Sequence, residues 1–185
     1  LIAGACQINK SIYKDKEGGI GINGNLPWPR LIEDMEFFKR VTTFNYNEPI
    51  NTKNVVIMGR KTWDSIPIRF KPLPDRLNVI ISSMLRMNQI PEVRQENVMV
   101  FATLAEALEF LNSDDYGEIF LIGGERIYTE GIKHELCDYI FLNRIHNRYV
   151  CDTFFPHIDK QKFKLLETIN SSDHEVSYTF EIYRK

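Results

Sequence analysis

Short apolar runs alternate with amphipathic segments along the chain. Apolar runs bounded by glycine, proline or polar residues predict buried β-strands. These runs cover residues 1–8, 55–58, 77–81, 97–101, 119–122 and 139–144. Helical periodicity and one capping motif predict helices near residues 30–43, 63–66, 103–111 and 125–133. The tail alternates over 162–169 and 176–183, which predicts an antiparallel hairpin at a sheet edge.

The order of strands and helices predicts an α/β protein with a mostly parallel sheet and helices on both faces. In such sheets, ligands bind beyond the carboxyl ends of the strands. Residues that follow positions 58, 81, 101 and 122 are therefore expected to line one rim. No internal repeat or linker interrupts the pattern, so a single domain over residues 1–185 is expected.

One carboxylate falls on the apolar side of the helix predicted at 30–43. At about 100° per residue, Asp34 lies inside an apolar arc. The arc consists of Leu31, Met35, Phe37, Phe38 and Val41, and the opposite side carries Glu33, Glu36, Lys39 and Arg40. A carboxylate on the inward face is costly unless something pairs with it. Asp34 is therefore a candidate functional residue.

The net charge and the cysteines exclude several classes of protein. The 185 residues carry a net charge of −2, which gives no general attraction to nucleic acid or anionic membranes. No apolar run reaches the ~18 residues of a transmembrane helix. The three cysteines lack CxxC spacing and are expected to be reduced thiols, as in a cytoplasmic protein. The four histidines lack ligand spacing, so no metal site is expected.

The segment Gly19–Gly24 matches the GxGxxG pattern of dinucleotide-binding turns. In those turns the last glycine opens a helix. Here it precedes Asn25-Leu26-Pro27-Trp28-Pro29, which cannot form a first helical turn in that register. The pattern therefore favours a flexible loop that lies over a site, with an ordinary glycine-rich surface turn as the alternative.

Three strand ends are suited to bind anions. Gly59-Arg60-Lys61-Thr62 places two cations and a hydroxyl at a helix start, although a capped helix with solvated cations is equally consistent. Gly123-Gly124 allows a diphosphate to approach the backbone closely, and a plain tight turn is the alternative. The hydroxyls of Ser82 and Ser83, with Arg60, are suited to the 2′-phosphate that distinguishes NADP from NAD.

Arg76 follows the turn Pro72-Leu73-Pro74-Asp75 and directly precedes a strand, so rigid neighbours fix its position. A fixed guanidinium suits the bidentate binding of a ligand carboxylate. A salt bridge to Asp75 or another acid is the commoner alternative.

The motifs together resemble one family, the dihydrofolate reductases, over almost the whole chain. The matching segments are residues 21–29, 56–63, 65–67, 72–73 with 76–78, 122–124 with Tyr128, and 152–156. The loop at 9–18 and the aspartate at position 34 resemble the protozoan-type enzymes. In many protozoa this domain is fused to thymidylate synthase, so the resemblance raises the expectation of such a fusion.

The resemblance implies a central, mostly parallel eight-stranded sheet, NADPH as cofactor and 7,8-dihydrofolate as substrate, with antifolates as inhibitors. Asp34 would hold the pteridine through its 2-amino group and N3, and Thr153 would support that acid and the amino group. Trp28 and Leu26 would wall the site. The implied substrate contacts are Leu1, Ile2, Ala3, Met35, Phe38, Ile66, Leu73, Arg76, Ile122 and Tyr128. The implied cofactor contacts are Ala3, Ile20, Gly21, Gly59, Arg60, Lys61, Thr62, Ser82, Ser83, Ile122, Gly123, Gly124 and Tyr128.

One departure and two alternatives accompany this resemblance. Many family members carry an arginine where this chain has Ser83, so Arg60 and the hydroxyls must hold more of the 2′-phosphate. A related reductase of riboflavin synthesis would need neither Asp34 nor Arg76. A non-catalytic folate-binding relative would tolerate the loss of Asp34 or Trp28, and both are present.

Overall fold

Most of the predicted strands and helices are present in the part of the chain that the structure describes. The computed structural model describes residues 2–7, 15–44, 52–84, 96–113 and 115–185. Leu1 and most of the predicted loop at 9–18 lie outside these residues, as does the side chain of Ala3. Two compact units are formed, one by Leu1–Glu36 with Tyr128–Lys185 and the other by Phe37–Ile127. The single domain over residues 1–185 stays a prediction.

The elements follow the predicted order, with small differences at their ends. The strands are β1 (Ile2–Gln7), β2 (Lys16–Gly21), β3 (Asn54–Gly59), β4 (Arg76–Ile81), β5 (Val98–Phe101), β6 (Ile119–Leu121), β7 (Tyr139–Arg148), β8 (Thr153–Pro156), β9 (Lys164–Asp173) and β10 (Val176–Arg184). The helices are α1 (Ile32–Thr43), α2 (Arg60–Ser65), α3 (Leu104–Phe110) and α4 (Glu125–Gly131), with a 3₁₀ helix at Ile68–Phe70. Among the described residues, no helix is long and apolar enough to cross a membrane.

The second unit, Phe37–Ile127, contains a four-stranded parallel sheet in the order β5-β4-β3-β6. Its apolar runs are buried as a parallel sheet requires, and residues 55–58 of β3 have no exposed surface. The register pairs Gly59 with Ile81 and Ile81 with Phe101, so these strands end at one rim. The predicted rim is therefore confirmed for this unit. The predicted capping box at α3 is confirmed too, since Thr103 Oγ1 accepts from Glu106 N at 3.2 Å.

The first unit contains a six-stranded sheet in the order β8-β2-β1-β7-β10-β9. Only β1 and β7 pair in parallel there, and the remaining neighbours are antiparallel. The predicted α/β class is confirmed, and so is the antiparallel hairpin, formed by β9 and β10. The predicted single eight-stranded sheet differs, because the described strands form two sheets.

Two further strands, β2 and β8, lie outside the apolar runs that predict strands. β2 reads KEGGIG, and glycine is depleted in strands because it supplies no side chain to pack. Its backbone pairs on both sides. Gly19 lies opposite Cys6 of β1 on one side and opposite Phe154 of β8 on the other. Pairing with two neighbours, rather than side-chain preference, makes this segment a strand.

The start of α1 is held by the turn between β9 and β10. Asp173 Oδ2 accepts from the backbone N–H of Ile32 at 2.6 Å, and the Ser171 hydroxyl donates to the carboxylate of Glu33. A free N–H in the first turn of a helix needs such an acceptor. The hairpin therefore supplies the cap of α1. Glu33 is exposed, as the helical periodicity predicted, and takes part in this surface contact.

Candidate active site

Asp34 lies in the first turn of α1, half-buried and next to strand β7. Its Oδ1 accepts a hydrogen bond from Asn143 Nδ2 at 2.8 Å. Burial raises the pKa of Asp34, and the bond from Asn143 acts in the opposite direction. Within the described residues, no cation forms an ion pair with this carboxylate. The inward position that the helical periodicity predicted is confirmed, and the partner is a neutral amide.

Trp28 is buried, with 5% of its surface exposed, whereas Leu26 is exposed. The Trp28 ring lies 6.3 Å from that of Tyr149, between centroids. Its Nε1–H is buried and has no hydrogen-bond partner among the described residues. Buried polar groups are normally satisfied, so this N–H is suited to a ligand or a water molecule.

The glycine-rich segment continues from β2 into a tight hairpin tip. Ile22 and Asn25 exchange backbone hydrogen bonds of 3.0 and 2.9 Å, and φ is +50° at Asn23 and +75° at Gly24. Two central residues with positive φ are typical of a two-residue hairpin turn. The structure therefore agrees with the glycine-rich turn given as the alternative, and the position of this segment over a site stays a prediction.

Asp152 ties this hairpin tip to the start of β8. Its Oδ2 accepts from Asn23 N at 2.8 Å, and its N–H donates to Gly21 O at 3.0 Å. The hydroxyl of Thr153 donates to Asp152 Oδ1 at 2.8 Å. The predicted support of Asp34 by Thr153 is thus not the hydrogen bond that the structure shows. The hydroxyl is instead engaged within its own turn.

Tyr128 is 4% exposed and holds the start of β1. Its hydroxyl donates to Ile2 O at 2.7 Å, and its ring lies 4.9 Å from that of Phe155, between centroids. Burial raises the pKa of Tyr128, and the negative charge of Asp34 raises it further. The phenol therefore stays protonated and serves as a donor inside the first unit.

The two glycine-containing turns of the second unit lie side by side. Gly59 N donates to Gly123 O at 2.7 Å. A Cβ on Gly124 would stand 3.3 Å from Thr62 Oγ1, tighter than nearly all real contacts. The peptide between Gly123 and Gly124 is cis, and φ is +123° at Gly123. The two turns are therefore adjacent, and their predicted role in binding an anion stays a prediction.

The cations beside these turns differ in their partners. Arg60 Nε lies 2.7 Å from Asp64 Oδ1 in an exposed ion pair along α2. Lys61 is exposed and has no ion pair with any described acid. No side chain caps α2 at Gly59, so the first N–H groups of the helix remain available to an anion.

Arg76 is 2% exposed and is held by neutral groups. Its Nη1 donates to Thr42 Oγ1 at 2.7 Å, its Nε donates to Pro74 O at 2.9 Å, and its guanidinium lies 5.7 Å from the Phe38 ring centroid. Burial lowers the pKa of Arg76, and the charge of Asp75 acts against that change. The alternative of an ion pair with a described carboxylate is not seen. A buried guanidinium with neutral partners fits a ligand carboxylate.

The other predicted contact residues span a range of exposure. Ile20, Phe38, Ile66, Leu73, Ser82 and Ile122 are half-buried, whereas Met35 and Ser83 are exposed. Their roles stay predictions. Among the described residues, no group of three or more histidine, cysteine, aspartate or glutamate side chains is arranged to hold a metal ion.

Comparison with known proteins decides the family. A model of the dihydrofolate reductase family matches residues 8–185. The dihydrofolate reductase of Heliothis virescens is 38% identical, across 100% of this chain and 96% of that protein. That of Sus scrofa is 36% identical, across 96% of this chain and 97% of that protein. The chain belongs to the dihydrofolate reductase family.

Fused proteins are also among the relatives. The bifunctional dihydrofolate reductase-thymidylate synthase of Daucus carota is 39% identical over 89% of this chain. The chain spans only 31% of that protein. The likeness to the plant proteins therefore concerns one part of their length.

For this member of the dihydrofolate reductase family, sequence reasoning missed three side chains that shape the candidate site. Asn143 contacts Asp34, Asp152 ties down the hairpin tip, and Asn78 holds the turn before Arg76. Asn78 donates to Leu73 O and accepts from Leu73 N, both at 2.9 Å. The available signal was a polar residue inside an apolar strand: Asn78 and Asn143 interrupt β4 and β7, and both are buried.

Proposed function

We propose that this chain is an NADPH-dependent dihydrofolate reductase that converts 7,8-dihydrofolate to 5,6,7,8-tetrahydrofolate. The observation that carries the proposal is Asp34, a buried carboxylate whose described partner is a neutral amide. Family membership supports the same reaction. The product would supply one-carbon metabolism and thymidylate synthesis.

Asp34 binds and orients the pteridine in this proposal. Its carboxylate accepts charge-assisted hydrogen bonds from the 2-amino group and N3–H, and these offset the cost of burying the charge. Because burial raises its pKa, Asp34 also holds a proton at higher pH than an exposed aspartate does. It is therefore the group that controls protonation of pteridine N5, directly or through a water molecule.

The second unit contains groups that fit the phosphates of NADPH, which supplies the hydride when bound. The uncapped first turn of α2 and Lys61 favour an anion, and the glycines at 59, 123 and 124 keep side chains away from it. Arg60, Thr62, Ser82 and Ser83 are the proposed partners for the diphosphate and the 2′-phosphate.

Arg76 is the proposed partner of the glutamate α-carboxylate of the substrate. Its neutral surroundings leave the charge uncompensated, so a carboxylate gains a strong interaction there. The remaining apolar contacts proposed from the resemblance are Leu26, Met35, Phe38, Ile66 and Leu73.

The decisive experiment follows NADPH absorbance with purified protein and dihydrofolate. We expect decay that depends on both compounds and that antifolates inhibit. Asp34→Asn is expected to lower turnover by roughly 10²–10⁴ at neutral pH, the usual loss for a general acid or base. Glu36→Gln, a charge removal on the exposed side of the same helix, is the matched control and should leave turnover unchanged.

Three results would contradict the proposal. NADPH decay with a pyrimidine substrate of riboflavin synthesis, but not with dihydrofolate, would favour the related reductase. Tight folate binding without turnover would favour a non-catalytic relative. Near-normal turnover of Asp34→Asn would remove Asp34 from the mechanism.

The fusion to thymidylate synthase and a cytoplasmic location are further proposals. The plant bifunctional relatives support the first, and the free thiol of the buried Cys137 supports the second. A transcript that continues in frame into a thymidylate synthase would support the fusion, and a stop codon directly after residue 185 would refute it. Cell fractionation with an antibody to this chain tests the location.

A further inference from the structure

A cavity of about 390 Å³ lies between the end of β5 and the exposed side of α3, within the second unit. Its lining consists of two aromatic rings and two carboxylates, from Phe101, Phe110, Glu106 and Glu109. Small-molecule sites in proteins typically have volumes of about 300–1,000 Å³. The function proposed above uses none of these four side chains, so it does not account for the cavity.

The apolar part of the lining belongs to a row of three aromatic rings. The ring centroids of Phe101 and Phe110 lie 5.3 Å apart, with the planes tilted by 48°. Tyr116 continues the row, 6.3 Å from Phe110 and tilted by 43°. Phe110 is 52% exposed, so part of its ring is accessible to a ligand. The π electrons of such a ring place partial negative charge on its faces, which attracts a cation.

The polar part of the lining is acidic. Glu106 Oε2 accepts from Ala102 N at 3.2 Å at the start of α3, and Glu109 is exposed. In the described part of the chain, neither carboxylate forms an ion pair with a cation. The surrounding sequence has the same character, because residues 96–125 contain seven aspartates and glutamates and no lysine, arginine or histidine. The cavity therefore combines aromatic faces with negative charge.

We propose that this cavity binds a small organic cation with a quaternary ammonium group, of the choline class. The two carboxylates repel an anion, and covering them with a neutral apolar ligand would be costly. A divalent metal ion needs several oxygen ligands in a defined geometry, which the aromatic rings do not supply. A quaternary ammonium fits both parts of the lining, because its methyl groups contact the rings and its charge is attracted by ring faces and carboxylates. The inference does not depend on the reductase activity.

Choline and its neutral carbon isostere separate the effect of charge from that of shape. The two molecules differ in one atom, since a carbon replaces the ammonium nitrogen in the isostere. The natural protein, labelled for nuclear magnetic resonance, is titrated with each compound at constant ionic strength. We expect choline to shift the backbone amide signals of α3 and Tyr116 with a Kd on the order of 1–10 mM, as suits an exposed site. The isostere should bind roughly tenfold more weakly.

Two substitutions at exposed lining positions test where choline binds. Phe110→Leu keeps apolar bulk and removes the ring, whereas Glu109→Gln keeps the shape and removes the charge. Each should weaken choline binding roughly threefold, the effect of one cation–π or ionic contact at an exposed site. Phe44→Leu and Glu118→Gln are the matched controls, because these residues are exposed in the same unit and lie outside the lining. Both controls should leave the Kd unchanged.

Four results would overturn the inference. Absence of any shift in the signals of α3 would exclude binding, and equal affinity for choline and its isostere would exclude a role for charge. An unchanged Kd in Phe110→Leu and Glu109→Gln would place the ligand elsewhere. Displacement of choline by NADPH would assign the cavity to the cofactor. Expected instead is an unchanged Kd for choline at saturating NADPH. None of these readouts depends on turnover of dihydrofolate, so this inference and the proposed function are tested separately.

Discussion

At the scale of single residues, burial of the Asp34 side chain makes the stability of the fold depend on pH. Its raised pKa means that the folded state binds its proton more tightly than the unfolded state does. Stability therefore falls as pH rises from the ordinary carboxyl pKa through the raised one. At neutral pH, where the carboxylate is ionised, the buried charge lowers the free energy of unfolding.

Asp34→Asn is accordingly expected to raise the stability of the ligand-free protein at neutral pH. The gain should disappear below about pH 4, where an aspartate is protonated in the folded and unfolded states alike. Urea unfolding at the two pH values measures the effect. A variant that is less stable than the natural protein at neutral pH would contradict this account of Asp34.

Asp34 also shows which features of the site can be predicted from the sequence and which cannot. Helical periodicity places Asp34 on the inward side of α1, because its neighbours in sequence define that side. Its partner Asn143 is 109 residues away, and no local pattern connects the two positions. Thr153 has the right chemistry to support an acid, but its own neighbour Asp152 takes the hydrogen bond. Local context thus predicts where a side chain points and not which distant group it meets.

At the scale of elements, the cap of α1 comes from the hairpin of β9 and β10. Asp173→Ala removes the acceptor for Ile32 N–H and should lower the free energy of unfolding by about 1 kcal/mol. Because Asp34 lies in the same helical turn, we also expect a lower kcat/KM for dihydrofolate. Glu175→Ala in the same turn is exposed and serves as the control. Equal unfolding free energies for the two variants would exclude a capping role for Asp173.

Sequence patterns predict a strand correctly where the burial of its own side chains stabilises it. The strands β3 and β4 are mostly apolar, with Asn78 as the polar residue inside β4, and their burial is complete or nearly so. The strands β2 and β8 depend on backbone pairing with neighbours far away in sequence, so composition pointed to a connection instead. Backbone pairing also stabilises the hairpin tip, whereas its glycine-rich composition predicts a loop.

At the scale of the whole molecule, one cation joins three strands of the first unit. Arg144 in β7 donates to Glu17 of β2 and to Glu181 of β10, each at 2.8 Å. Burial alone would lower the pKa of Arg144, but the two carboxylates outweigh it and hold the pKa above its ordinary value. The side chains of Glu17 and Glu181 are 8% and 12% exposed, so Arg144 offsets part of the cost of burying their charges.

Arg144→Met would remove the cation that Glu17 and Glu181 share. Removing one partner of a buried ion pair typically costs about 3–5 kcal/mol, against a total stability of about 5–15 kcal/mol for a domain. Chemical unfolding at neutral pH should show a loss of that size. Arg184→Met, an exposed cation on β10, is the control and should change little. A small effect of Arg144→Met would mean that water reaches the two acids.

The hairpin tip also contains a pair of residues that can undergo spontaneous deamidation. In the pair Asn23-Gly24, the backbone nitrogen of the glycine can attack the side-chain amide of the asparagine, because glycine has no side chain in the way. This step forms a cyclic imide and releases ammonia. The imide opens to aspartate or isoaspartate, which adds a negative charge. Asp152, which accepts the Asn23 N–H, would then face a like charge and repel it. Prolonged storage of the purified protein is therefore expected to loosen the hairpin at Asn23-Gly24.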